Sequence, residues 1–258
     1  MFSPSLKITF LGTGTSSGVP MIACDCEVCK SADSKDKRFR SSILIESDIT
    51  TIVVDTTPDF RSQMLRAGVK KLDGIIYTHA HKDHVAGLDD VKAFNYFHQQ
   101  PMDVYADAPT EAALRREFAY IFDENKYPGV PDVHIHAIEE ESFKIGDIAI
   151  TPIKVWHHKM PVLGFRFGSF TYITDANRID PDQMEKIKGS NTMVLNALRK
   201  EKHLSHFTLQ EAITIVQELE IPTAYFTHIS HQLGKHTLVS KELPQGIALA
   251  YDELVINC

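Results

Sequence analysis

Thirteen histidines occur in this 258-residue chain, and they are not spread evenly. Three of them, with one carboxylate, fall within six positions: His79-Ala80-His81-Lys82-Asp83-His84. In an extended stretch His79 and His81 point to the same side. Asp83 and His84 lie one turn further on and can aim at a neighbouring point. Imidazole suits zinc, iron and nickel, and a carboxylate adds a hard ligand that also accepts manganese. The set can therefore serve two adjacent metal ions. Packing alone does not favour such spacing, because a buried, unpaired His or Asp is costly.

The run resembles the His-x-His-x-Asp-His signature of the metallo-β-lactamase superfamily. That resemblance implies an α+β fold, the αββα four-layer sandwich, over 1–258 as a single hydrolase domain. It also implies a ligand order along the chain. His79, His81 and a histidine from mid-chain would hold a first metal. Trp156-His157-His158-Lys159 offers two candidates there. His157 is the better match, with His158 its near alternative; in an extended strand adjacent side chains face opposite ways, so one of the two ligates. Asp175, at the end of Tyr172-Ile173-Thr174-Asp175, corresponds to the bridging aspartate. Asp83, His84 and His228 would hold the second metal. Asp55, ending a strand before Thr56-Thr57-Pro58, resembles the family's structural aspartate beside the site, a loop brace rather than a ligand.

Cys24-x-Cys26-x-x-Cys29 supplies three soft ligands in a tight turn, within a zinc-binding loop at 20–32. A closed structural zinc site needs four. Cys258 could complete it only if the C-terminus folded back; His231, three residues after His228, is the better fourth ligand. Such a zinc would tie the N-terminal loop to the loop that bears His228. The stretch Gly12-Thr13-Gly14-Thr15-Ser16-Ser17-Gly18-Val19-Pro20, the cysteines after it and Thr227-His228-Ile229-Ser230-His231 together resemble the PhnP-type phosphodiesterases. These hydrolyse 5-phosphoribosyl 1,2-cyclic phosphate. The glycines do not form a dinucleotide fingerprint, since Gly18 comes one residue late and a proline and cysteines replace the helix.

The resemblance implies a metal-dependent phosphodiesterase for a small, cyclic, phosphoribosyl-type substrate. Two divalent metals (zinc or manganese) would share a hydroxide that attacks phosphorus in line, beside the one structural zinc. In the neighbourhood of the family's general acid, Lys202-His203-Leu204-Ser205-His206 offers His206 first and His203 second. Asp83 belongs to the catalytic set as well. His98, His134, His136 and His236 match no motif. Rival activities on the same fold are tRNA 3′-processing or another nuclease, thiolester or lactam hydrolysis, and a non-enzymatic redox role.

The elements that must position these groups are read from pattern. Strands are expected over 6–11, 42–46, 51–55, 74–77, 104–106, 142–155 around Gly146, 164–167, 170–174 and 223–227. Helices are expected over 61–67, 89–98 and 110–122 (capped by Thr110), in a short piece between Asp180 and Gly189, and after Thr208, where Glu211 completes a capping box. The strands come in runs with a few helices between them, which suggests helix-covered sheets.

Composition fits a globular chain, with 43% hydrophobic and 24% charged residues. The net charge of −7 disfavours a broad nucleic-acid surface. No run approaches the roughly 18 apolar residues of a spanning helix, and the N-terminus lacks a secretory pattern. Reduced cysteines in a cytoplasmic protein are the expectation, with a small phosphodiester as partner, no membrane, and a homodimer compatible with the relatives.

Overall fold

The computed structural model describes residues 4–258. Two mixed sheets pack face to face. Across the first, the strands run Val255–Asn257, Lys7–Gly12, Ser42–Glu46, Thr51–Val54, Gly74–Ile76, Met102–Ala106, Val133–Ala137. Across the second they run Arg178–Ile179, Ile148–His157, Met160–Phe167, Phe170–Ile173, Thr192–Asn196, Thr223–Thr227, Ile247–Leu249, with Phe143–Ile145 beside Ile148–His157.

Period-two alternation explains why both faces of each sheet are covered. Ile43 and Ile45 point between the sheets, with Phe10 and Val54, and meet Phe165, Phe167, Phe170 and Tyr172. Leu44, on the opposite face, packs with Val53, Ile75 and Tyr77 under Phe60 and Met64 of the helix Phe60–Ala67 and under Leu114 of the helix Ala108–Glu117. The second sheet's outer face sets Met193, Leu195 and Phe226 against Ala212, Ile213 and Val216 of the helix Leu209–Glu218. Helix, sheet, sheet and helix thus form the expected four layers.

Half of each sheet is parallel. Thr51–Val54, Gly74–Ile76, Met102–Ala106 and Val133–Ala137 pair in parallel, as do Phe170–Ile173, Thr192–Asn196, Thr223–Thr227 and Ile247–Leu249. Parallel strands deliver their C-terminal ends to one edge, where ligands of such sheets bind. Asp55, Thr78-His79, Asp175 and His228 follow those ends.

Local differences from the sequence reading have physical reasons. Asp107, not Thr110, caps the helix Ala108–Glu117: its carboxylate accepts from the Thr110 N–H at 3.0 Å, and Pro109 occupies the first turn. Residues 119–121 form a 3₁₀ turn instead of continuing that helix, and another, Leu88–Val91, precedes the helix Lys92–His98. The strands around Gly164 and Val155 are longer than expected, because Ile148–His157 and Met160–Phe167 are one hairpin turning at His158-Lys159. Strands at 133–137, 192–196, 247–249 and 255–257 carry no turn signal strong enough to mark them.

Candidate metal centre

The strand Gly74–Ile76 stops just before the histidine run. Thr78 is buried, and its N–H and hydroxyl both donate to the Asp55 carboxylate, each at 2.9 Å. His79 is buried, whereas His81 is exposed and begins the turn of helix Lys82–Val85 that carries Asp83 and His84. His157 is the last residue of its strand and turns inward. His158 is the exposed, positive-φ residue of the hairpin turn, so it does not join the site. Asp175 follows Ile173 by two residues; Asn196 grips the N–H and C=O of the next residue, Ala176, at 2.9 Å each, and Thr174 donates to Asp175 at 2.7 Å.

Two groups of donor atoms result. His79, His81, His157 and Asp175 each place one ligand atom within 4.8 Å of the others, and so do Asp83, His84, Asp175 and His228. Asp175 belongs to both. Its Oδ2 lies 3.8 Å from His79 Nε2 and 3.4 Å from His84 Nε2, and its Oδ1 lies 2.8 Å from His228 Nδ1.

Four of the five rings, all but His81, are held by the nitrogen that faces away from the cluster. His84 Nδ1 donates to Asp55 at 2.7 Å, and His79 Nδ1 meets the Thr78 hydroxyl at 3.0 Å. His157 Nδ1 donates to the Ser205 carbonyl at 2.9 Å. His228 Nε2 meets the Thr15 hydroxyl at 3.1 Å. A ligating histidine is normally oriented in this way by its far nitrogen. Among the described residues, the inward Nε2 atoms of His79 and His84 are buried without a hydrogen-bond partner. Buried ring nitrogens left bare in this way are costly unless something binds them, so these residues fit a pair of divalent cations.

The electrostatics agree. Burial would raise Asp175, but His228 and His84 outweigh it and hold the carboxyl well below the usual range. Burial opposes charge on His84, yet Asp175, Asp83 and Asp55 raise it well above an ordinary histidine. His79 is depressed by burial, then by the neighbouring His84, and His157 is depressed by burial. A buried cluster of carboxylates and imidazoles is thus balanced for positive charge at its centre.

His206 lies at the rim of this cluster. It is 8% exposed, stacks on His228 at 4.8 Å, and its bare Nε2 is 3.5 Å from Asp175 Oδ2. His203 is half-buried behind it.

Beyond the histidines, Cys24, Cys26, Cys29 and His231 form a third group within 4.8 Å. His231 Nδ1 is 3.4 Å from Cys24 Sγ and 3.3 Å from Cys26 Sγ. The Cys29 N–H, then His231, lower the Cys26 thiol to about 6, while burial raises Cys29 to about 11. Three thiols and one imidazole fit a closed tetrahedral zinc. Cys258 plays no part in it; its backbone pairs with Leu6 and its side chain packs at the inter-sheet core.

The glycine-rich loop threads between these centres. A Cβ on Gly12 would sit 2.0 Å from the Arg40 carbonyl, so only glycine permits that approach. Gly14 bridges both Arg40 and Ile229, and Thr15 then reaches His228. Asn196 and Ser205 had no signal in the sequence, because each finds its partner only through the fold; Thr15 stands in the glycine-rich stretch and Thr78 beside His79, but neither motif marks them as ring supports.

The sequence profile of the beta-lactamase superfamily domain matches residues 50–229. A crystal structure of a diphosphatase from the PhnP family superposes with a TM-score of 0.93 at 40% identity, over 98% of this chain and 97% of that one. Zinc-bound PqqB from Methylobacterium extorquens shares the fold, with a TM-score of 0.78 at 19% identity over 98% of this chain and all of that one. An octanoyltransferase of Porphyromonas gingivalis is 35% identical over 252 residues, which make up 96% of this chain and 51% of that protein. The chain spans about half the length of the curated relatives it matches.

Proposed function

Because this chain belongs to the beta-lactamase superfamily and, within it, to the PhnP family of hydrolases, we propose that it is a dinuclear metal-dependent phosphodiesterase acting on a small, cyclic, phosphoribosyl-type phosphodiester. The observation that carries this reading is the pair of donor groups that share Asp175. When bound there, two divalent cations, zinc or manganese, supply an activated water and positive charge for the phosphoryl oxygens. His79, His81 and His157 would hold one cation and Asp83, His84 and His228 the other, with Asp175 common to both donor groups. Asp55 and Thr78 keep the His84 and His79 rings turned inward. His206 presents Nε2 beside Asp175 and gives a proton to the departing alkoxide. The Cys24, Cys26, Cys29 and His231 group takes a structural zinc.

A second reading comes from the relative with 40% identity, a diphosphatase. In a phosphoanhydride the leaving phosphate is already a good one and needs less help from an acid. The octanoyltransferase likeness covers only half of that protein and does not bring acyl transfer to this chain.

The test is turnover by zinc- or manganese-loaded protein on 5-phosphoribosyl 1,2-cyclic phosphate, a nucleoside diphosphate ester and a precursor tRNA, with metal content measured on the same sample. The cyclic phosphodiester should be turned over fastest. Faster cleavage of the anhydride would move the assignment to diphosphatase, and efficient cutting of the RNA would overturn both. His206→Ala should lower turnover of the cyclic substrate by about 10²–10⁴-fold while the metal content stays the same.

A further inference from the structure

His206 is not alone. Its Nδ1 lies 3.1 Å from His203 Nδ1 and 3.1 Å from the Ser205 hydroxyl. Two ring nitrogens at that distance must share one hydrogen, because two lone pairs would repel. The Ser205 N–H decides which ring owns it: it points at His203 Nδ1, 3.3 Å away, so that nitrogen is an acceptor. His206 Nδ1 is therefore the donor.

From this geometry we infer that His203 is a positioning residue for the His206 proton donor: it accepts the His206 Nδ1 hydrogen and so holds the ring with Nε2 turned into the site. The inference rests on the proton-donor role proposed for His206. It gives separate parts to the two histidines, which the sequence offers as first and second candidates for one role. His203 belongs to none of the donor groups. Its half-buried ring packs behind His206, with centroids 5.0 Å apart, and among the described residues its hydrogen-bond partners are His206 and Ser205.

The arrangement selects which proton leaves. A His206 ring protonated on both nitrogens has its Nδ1 hydrogen committed to His203. The Nε2 hydrogen is then the one transferred as the bond from phosphorus to the leaving oxygen breaks. The electron pair of that bond stays on the oxygen, which takes the proton and leaves as an alcohol. His206 remains neutral, with its hydrogen still on Nδ1. The proton released by the attacking water restores Nε2, so nothing is consumed. Ser205 also links the pair to the ligand set, since its carbonyl holds His157 Nδ1.

Two measurements test this. The first compares His203→Leu, which has no acceptor, with His203→Asn, whose amide oxygen can accept. The substrates are adenosine 2′,3′-cyclic phosphate, which expels an alkoxide, and bis-p-nitrophenyl phosphate, whose phenolate leaves without a proton. His203→Leu should lose at least about tenfold more kcat on the cyclic substrate than on the aryl one, a share of the range a general acid supplies. KM should move little, and His203→Asn should recover most of the loss. Equal losses on both substrates, or an Asn variant no better than Leu, would overturn the role.

The second measurement needs no turnover. In zinc-loaded protein with ¹⁵N-labelled histidine, the His206 ring should show its hydrogen on Nδ1, coupled across the hydrogen bond to His203. That signal should vanish in His203→Leu. A His206 hydrogen found on Nε2 alone would sink the inference whatever the enzyme hydrolyses. Loss of phosphodiesterase activity in the wild type, with the Nδ1 coupling present, would instead refute the proposed function and leave the pairing standing.

Discussion

A histidine that ligates nothing shows how context sets the part an imidazole plays. His236 matches no motif and lies buried beside Arg38. Arg38 donates to Thr13 at 2.7 Å, to the Ala250 carbonyl at 2.6 Å and to His236 Nδ1 at 3.1 Å. The last bond requires a neutral ring. Burial first, then Arg38 and Lys35, against Asp33 and Asp36, push His236 down to about 4. The unfolded chain takes up this proton near pH 6.5, and the folded chain resists until about 4. Stability from this group is therefore complete above about 6.5 and declines as pH falls from there to about 4. His236→Gln should flatten that part of the stability profile, read as denaturation midpoints at several pH values; parallel profiles for the two proteins would contradict it. At this scale the residues that cluster were legible and, Asp55 apart, their supports were not. His79, His84, His157 and Asp175 stand in spaced motifs, but Thr78 and Asp55 are 23 residues apart, Ser205 and His157 are 48 apart, and Thr15 and His228 are 213 apart.

Among the elements, the strands that fill both layers were easiest to read. Ser42–Glu46 has an unbroken aliphatic centre, Ile43-Leu44-Ile45, and Thr223–Thr227 pairs two aromatics with flanking threonines. Three-residue edge strands such as Ile247–Leu249 and Val255–Asn257 have too few residues for a period, and only their partners define them. The helix Leu209–Glu218 announces itself through Thr208 and Glu211, whose side chains cap each other's N–H groups at 3.2 and 2.8 Å. That cap also anchors function. Phe207 N–H bonds the Ala176 carbonyl at 2.8 Å, so the segment carrying His206 is pinned between the helix start and the turn that bears Asp175. Thr208→Ala should cost about 1 kcal/mol of stability, measured by urea denaturation of metal-loaded protein. An unchanged midpoint would mean that the loop, not the cap, fixes this helix end.

Across the whole molecule, the thiol group and the histidine–carboxylate groups meet in one short segment. His228 belongs to one and His231 to the other, with Ile229 bridged to Gly14 between them. Loss of the zinc proposed for the cysteines should therefore loosen His228. Cys26→Ser is expected to bind the His/Asp-site metals about tenfold more weakly, in line with the loss of an outer support, and to melt at a lower temperature. Metal titration with full affinity in that variant would show that the two centres are independent.

The backbone at the strand ends has its own consequence. Asp55, Asp175 and His228 all adopt positive φ, at 67°, 52° and 55°, a region that costs a side-chain-bearing residue about 1 kcal/mol or more. Glycine would relax each backbone and at the same time remove a proposed ligand or its orienting carboxylate. At Asp55 the side chain wins on stability alone, because glycine would leave the Thr78 N–H and hydroxyl and the His84 ring hydrogen buried without their acceptor. A library screened for heat resistance alone would keep Asp55, and any glycine it accepted at Asp175 or His228 would come at the expense of the proposed cation sites.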